Sequence, residues 1–464
     1  MSSIPPRASR HFTSVLSRVM ACVLAVLGSS ASGSVVPIGA ARVDISPTSP
    51  VPLMGYASRA SLPRSAEVAQ RIHARALAIG ADEEVALLFT IDNCILPAPV
   101  AAQIRRRLVE KLKVRPERIA FTVTHTHSAP CLAGAAPNIF GTDFSDEDQA
   151  AIERYTQSFI GHLEKVAADA LAAREPAKLA WGQGAVSFAK NRRAQGGPVD
   201  HAMPLLRVTS PSGEVRAIFV NYACHCTTLG GDFNAVHGDW AGVAAERMER
   251  DYPGAIALVA IGCGADANPE PRGKVELAVQ HGEAIVSEAR RLIAEKLTDL
   301  AGPPDCRIKS IDLPFQTHFT REEWKARAEQ KGVVGYHARK WLARFDEGEA
   351  LPSKLSYPVQ TWSFRERLGM VFLGGEVVVD YAVRLKKEFD AERLWVNAYS
   401  NEVPCYIPSR RILAEGGYEA EDSLWYYDQP QRLAPAVEDL IVDTVRELLP
   451  SGFHAGAASP AVAQ

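Results

Sequence analysis

The chain has no hydrophobic run long enough to span a bilayer. The run near its N-terminus, Val19 to Leu27, is about nine residues, where a spanning helix takes about 20. It has no excess of either charge: 51 Lys and Arg against 54 Asp and Glu leave a net charge of -3. That balance gives no electrostatic reason to expect nucleic acid. No basic run is long enough to form a membrane-surface patch. Internal repeats and long low-complexity stretches are missing, so the chain is not a repeat array. Cysteine is scarce, 8 in 464 residues, and its spacing is not that of a zinc ribbon.

The rest of the composition, 47% hydrophobic and 23% charged, is that of a soluble globular protein. The length suits one large domain or two ordinary ones. At the N-terminus, Arg7, Arg10 and Arg18 precede the short apolar run, and the small polar Gly28-Ser-Ser-Ala-Ser-Gly-Ser34 follows it. This is the pattern of a secretory signal peptide. We expect residues 1–34 to be that signal, with cleavage near residues 30–34 and export to the periplasm or the medium. Residues 35–450 are expected to form the folded part, and 451–464 an Ala-rich, disordered tail.

Seven cysteines follow Cys22: Cys94, Cys131, Cys224, Cys226, Cys263, Cys306 and Cys405. An exported protein can pair cysteines, but an odd number leaves at least one thiol unpaired. Cys224-His225-Cys226 resembles a ligand cluster. On a strand, however, both sulfurs point away from the imidazole, so we read them as packed residues or as one half of a disulfide.

Strands and helices alternate along the chain. Buried strands are expected at 85–91, 119–123, 217–222, 255–261, 368–373 and 394–399. Helices are expected at 101–113, 146–173 with Ser145 as N-cap, 240–251, 275–297, 378–389 and 435–449. The pattern predicts an α/β fold: mixed sheets covered by helices in a single large domain. The polar segment 315–358, with Trp324, Tyr336 and Trp341, reads equally as a lid or as a surface helical pair.

Several predicted strand ends carry polar residues that a core does not need. Thr124-His125-Thr-His127-Ser128 follows the strand at 119–123, and two imidazoles two positions apart on an extended chain share a face. Carboxyl ends of strands are where open α/β sheets hold ligands. Asn221-Tyr-Ala-Cys-His225, Asp232 to Asp239 with His237, Ile261 to Pro269, Gly374-Gly-Glu376 and Asn397 to Tyr406 repeat the pattern. Taken singly, each has a plain reading. Glu376 suits a helix start, Asp266 a turn and His237 a polar loop.

On these segments, together with Gly39 to Pro47, Met54 to Ala57, Ile72 to Leu77, Asn191-Arg-Arg193 and Tyr418-Glu419, the chain resembles the neutral/alkaline non-lysosomal ceramidases. The resemblance is collinear over roughly residues 37–450. It implies one catalytic zinc ion, Zn2+, per chain, with His125, His225, Glu376 and Tyr406 as ligands. It also implies that His127, Arg192 and Tyr418 contact the substrate or the transition state. Imidazole and carboxylate suit zinc, and a tyrosine donor is one the metal would have to acidify. Two departures stand out. The family's catalytic serine, in a Gly-Asp-x-Ser-Pro loop, aligns with Asn268, which excludes a serine acyl-enzyme there and favours a metal-activated water. The family's long form also ends in an immunoglobulin-like domain, and too few residues follow the predicted helix at 435–449 to build one.

The function implied is zinc-dependent hydrolysis of a linear amide in an N-acyl substrate, ceramide or a similar lipid, without stable membrane insertion. The alternative enzyme reading keeps the zinc and changes the bond to an ester, an N-acyl amino acid or a glycoside. A binding protein without catalysis would lack a ligand, and all four are present.

Overall fold

Strands whose every residue is apolar or small need cover on both faces, and here they get it. Ala86–Ile91, Ile119–Val123 and Leu368–Leu373 are buried at each position. The computed structural model describes Val35–Ala455. The expected signal segment and residues 456–464 of the expected tail lie outside the described residues. The described fold runs past 450: Ser451–Phe453 forms a 3-10 turn that buries Phe453.

A nine-stranded mixed sheet forms the frame. In space its order is Ile119–Val123, Ala86–Ile91, His73–Ile79, Val36–Asp44, Glu175–Ala185, Ala202–Thr209, Val215–Tyr222 and Ile256–Ile261, and Thr298–Leu300 pairs off the path with Glu175–Ala185. One face packs on helices, among them Asp146–Ala172, Asp239–Asp251 and Val275–Ala294. The other face packs on a second sheet: Asp305–Pro314, Lys354–Phe364, Leu368–Leu373 and Leu394–Asn397. There Leu77, Leu88 and Leu258 meet Trp362, Met370 and Phe372, and Phe219 stacks on Trp395 at 4.6 Å.

Three parallel pairs decide where chemistry can occur. Ala86–Ile91 runs parallel to Ile119–Val123, Val215–Tyr222 to Ile256–Ile261, and Leu368–Leu373 to Leu394–Asn397. Backbone bonds stitch their carboxyl ends together: Val123 N donates to Tyr399 O at 3.1 Å and Ala398 N to Ile261 O at 2.9 Å. Chain segments from all three pairs therefore leave their sheets at one place.

The predicted helices are present with shifted ends. The first spans Ala98–Leu112 and starts three residues early, because Pro99 is tolerated in a first turn. Ser145 caps Asp146–Ala172 by accepting from Asp148 N at 3.1 Å. The strand expected to reach residue 399 stops at Asn397, since Tyr399 takes a left-handed backbone with φ 50°. Segment 315–358 contains the helical pair Arg321–Ala328 and Gly332–Asp346, which closes on a small core of Trp324, Ala338 and Trp341. The last residues of that segment start the strand Lys354–Phe364. All seven cysteines of the described residues are free and buried. No helix among the described residues is long and apolar enough to cross a membrane.

Candidate metal centre

His125 and His127 do converge, though not on a strand. The strand ends at Val123, and His125 takes a left-handed backbone with φ 56°. That turn brings the two rings edge to face, with 3.0 Å between the Nε2 atoms. The same site receives His225 from the exit of Val215–Tyr222 and Glu376 from the exit of Leu368–Leu373. Glu376 Oε2 lies 3.1 Å from His125 Nε2 and 3.1 Å from His225 Nε2.

Tyr406 reaches the cluster through backbone register. Glu376–Val377 and Tyr406–Ile407 form a short parallel ladder in which Glu376 and Tyr406 are partners. Tyr406 Oη is 3.3 Å from His225 Nε2. Gly375, just before Glu376, has φ 76°, and a Cβ there would lie 2.7 Å from Cys405 O. Glycine is needed at that position for the two chains to approach.

The hydrogen bonds behind the cluster orient it. His125 Nδ1 lies 2.7 Å from Cys94 O, and His225 Nδ1 lies 2.8 Å from Gly264 O. A carbonyl only accepts, so each Nδ1 carries the proton. Both Nε2 atoms therefore face Glu376, and Tyr427 Oη donates to Glu376 Oε1. Histidine ligands of metals are held in this way. Two imidazole nitrogens, a carboxylate and a phenol converge in a buried volume, a donor set that fits a divalent cation such as zinc.

The electrostatics agree. Burial resists charging His125, yet the Glu376 carboxylate raises its pKa well above the ordinary value. Burial likewise opposes ionisation of Glu376, and the two histidines hold it well below the usual carboxylate range. Burial and the Arg192 charge push His225 down to about 4, so its ring is neutral. The field of the site thus favours one positive charge beside the carboxylate. Burial raises the Cys224 and Cys226 thiols well above their ordinary values, and neither sulfur joins a group of converging metal donors among the described residues.

Residues 37–263 match the family model for the N-terminal region of neutral/alkaline non-lysosomal ceramidases. Over those residues the chain is similar to that family. Its fold is similar to a ceramidase solved in complex with C2, at 18% identity and a TM-score of 0.67. It is also similar to the neutral ceramidase from Pseudomonas aeruginosa, at 20% identity and a TM-score of 0.68. Each comparison covers 92% of this chain and 77% of the other. At the sequence level no curated protein matches. The match supports a hydrolase acting on amide bonds.

Outside the cluster, a cavity of about 800 Å³ opens onto His127 and Tyr406. His127 is half-buried, packs edge-on to Tyr56 at 4.9 Å, and leaves Nδ1 without a partner. Across the cavity, Arg192 donates through Nη2 to Tyr406 Oη at 3.1 Å and through Nε to Glu419 Oε1 at 2.8 Å. Its guanidinium lies 5.3 Å from the centre of the exposed Tyr418 ring. Asn268 lines the wall, where Thr227 donates to its Oδ1 at 3.3 Å.

Two residues flagged in the sequence have structural work instead. Asp266 accepts from Val379 N at 2.8 Å and Asn191 Nδ2 at 3.1 Å. His237 is buried, and its carbonyl accepts from Thr126 Oγ1 at 2.7 Å, which braces the loop carrying His125 and His127. Sequence reasoning assigned no role to Tyr427, Glu419 or Tyr56. Tyr427 sits in the run Trp425-Tyr-Tyr427, and aromatic content alone does not mark a residue that holds a ligand.

Proposed function

We propose that this protein is a zinc-dependent hydrolase of the linear amide in an N-acyl substrate, with His125, His225, Glu376 and Tyr406 as the metal ligands. The observation that carries this reading is the oriented donor set. Both imidazoles are turned by backbone carbonyls so that Nε2 faces a carboxylate that itself receives a tyrosine proton. Zinc bound there would lower the pKa of a water and polarise the amide carbonyl.

The chain's own residues supply the remainder. His127, kept neutral by burial and by the neighbouring histidines, takes a proton from the attacking water at its imidazole nitrogen. It later delivers that proton to the departing amine. Arg192 and Tyr418 face the same cavity and stabilise negative charge on the carbonyl oxygen. In balance, a C–O bond forms, the C–N bond breaks, and water is divided between a carboxylic acid and an amine. Asn268 has no nucleophilic oxygen, so no acyl-enzyme forms at that position.

N-acyl sphingoid bases, the family's namesake substrates, are the reference compounds. The basic, apolar and small-residue pattern of the first 34 residues supports export, so the substrate would be met outside the cytoplasm. Purified mature protein should release fatty acid from an N-acyl sphingosine or a simpler N-acyl amide with zinc, and stop with a chelator. His225→Ala should be inactive while keeping its circular dichroism spectrum. Chelator-resistant release, or release by His225→Ala, would refute the metal reading.

A further inference from the structure

The walls of the cavity are unlike a lipid pocket. Its lining holds not one leucine, isoleucine, valine, phenylalanine, methionine or tryptophan. Of the large apolar residues exposed on the described surface, only Tyr418 lines it. A two-tailed lipid entering the cavity would find almost no apolar surface to bury, and burial of that surface is what drives lipid binding.

Charge takes the place of grease. Arg192, Arg193, Arg272 and Arg411 line the cavity against Glu415 and Glu419. Three of the arginines are committed. Arg192 and Arg193 hold Glu419, Arg193 also holds Glu415, and Arg411 bridges Glu415 and Asp380. Arg272 has no hydrogen-bond or ion-pair partner among the described residues.

Its side chain is exposed, and the loop that carries it is tied to the cavity wall. Gly273 N donates to Thr228 O at 2.6 Å, which ties the Arg272 turn to the wall that bears Thr227 and Asn268. Burial raises the Tyr56 phenol pKa, and the Arg272 charge is close enough to pull against it. Tyr56 in turn packs on His127. Arg272 lines the same cavity as Tyr56 and His127, while Arg192 is bonded to Tyr406 and lies over Tyr418. The cavity thus offers one guanidinium committed to Tyr406 and Glu419 and a second, unpaired among the described residues. A guanidinium fork matches a carboxylate in shape and charge.

We propose that Arg272 binds a carboxylate on the amine half of the substrate, so that the preferred substrates are N-acyl amino acids rather than N-acyl sphingoid bases. This rests on the amidase reading above and narrows it. The test compares three amides that share one acyl group: N-hexanoylglycine, N-(2-hydroxyethyl)hexanamide and N-hexanoylsphingosine. Zinc-loaded wild-type protein and Arg272→Gln are assayed on each, and binding of the first two is measured by calorimetry. The expected result is a kcat/KM at least tenfold higher for N-hexanoylglycine than for the hydroxyethyl amide, with that ratio falling at least tenfold in Arg272→Gln. Equal values for the two, a preference that persists in Arg272→Gln, or faster turnover of N-hexanoylsphingosine would overturn the proposal and leave the amidase reading standing. If none of the three is hydrolysed, the amidase reading fails and calorimetry decides the subsite. Tenfold tighter binding of N-hexanoylglycine that Arg272→Gln removes supports it, and equal or absent binding rejects it.

Discussion

Glu376 shows how much of this site is made by neighbours. Its two oxygens serve different partners: Oε2 faces both histidines and Oε1 accepts from Tyr427. A hydrogen bond that fixes a ligand commonly changes metal affinity by about 10–100-fold. Tyr427→Phe should therefore weaken zinc binding by about that factor, read by competition with a chromogenic chelator, with little loss of fold. Arg192 does different work. It bridges Glu419 and Tyr406 and lines the cavity. Arg192→Met should lower kcat by about 10²–10³-fold, the usual cost of losing one oxyanion partner, while metal analysis still finds one zinc per chain. His125, His127, His225, Glu376 and Tyr406, which the structure brings together, stand in the polar motifs at strand ends, whereas Arg192 and Tyr418 were singled out by the family resemblance. The carbonyls of Cys94 and Gly264 that orient the imidazoles were not legible. Any residue type carries a carbonyl, so side-chain identity says nothing about them. The left-handed turn at His125 was equally hidden, since only a small minority of non-glycine residues adopt it, even though histidine is among the commoner ones.

Among the elements, the two-residue ladder of Glu376–Val377 with Tyr406–Ile407 carries the largest consequence for its size. Parallel register aligns Glu376 with Tyr406, and Gly375 lets the chains approach. Gly375→Ala should destabilise the protein by about 1–2 kcal/mol from the left-handed backbone alone, more with the contact to Cys405 O, and should lower zinc affinity as the register opens. Urea unfolding beside a zinc titration measures both effects. A ladder of two residues has no periodicity, so it could not be read in advance. Long or fully buried elements could. Asp146–Ala172 shows its cap and apolar stripe, and Ala86–Ile91 is one apolar run. Val36–Asp44 and Glu175–Ala185 mix exposed and buried positions without strict alternation, so neither stood out as a strand. The helices Arg321–Ala328 and Gly332–Asp346 contribute nothing to the cavity lining, which favours the surface-pair reading of that segment over the lid.

Over the whole molecule, the site lies where three parallel strand pairs from two sheets end together. Its proposed ligands come from positions as far apart in sequence as His125 and Tyr406, so a bound cation would tie both sheets to one point. Zinc at a hundredfold excess over its Kd should stabilise the fold by about 2.7 kcal/mol. The matching rise in Tm should vanish in His225→Ala. The α/β class and the covering helices were legible from alternating elements. The packing of one sheet on another was not, because a strand buried by a sheet and one buried by a helix have the same apolar composition. The most direct test of the account is reconstitution. Metal-free protein is titrated with zinc while hydrolysis of an N-acyl amide is followed. The account predicts no turnover at the start, a linear rise that ends at one zinc per chain, and no response from His225→Ala. Full turnover before zinc is added would contradict it.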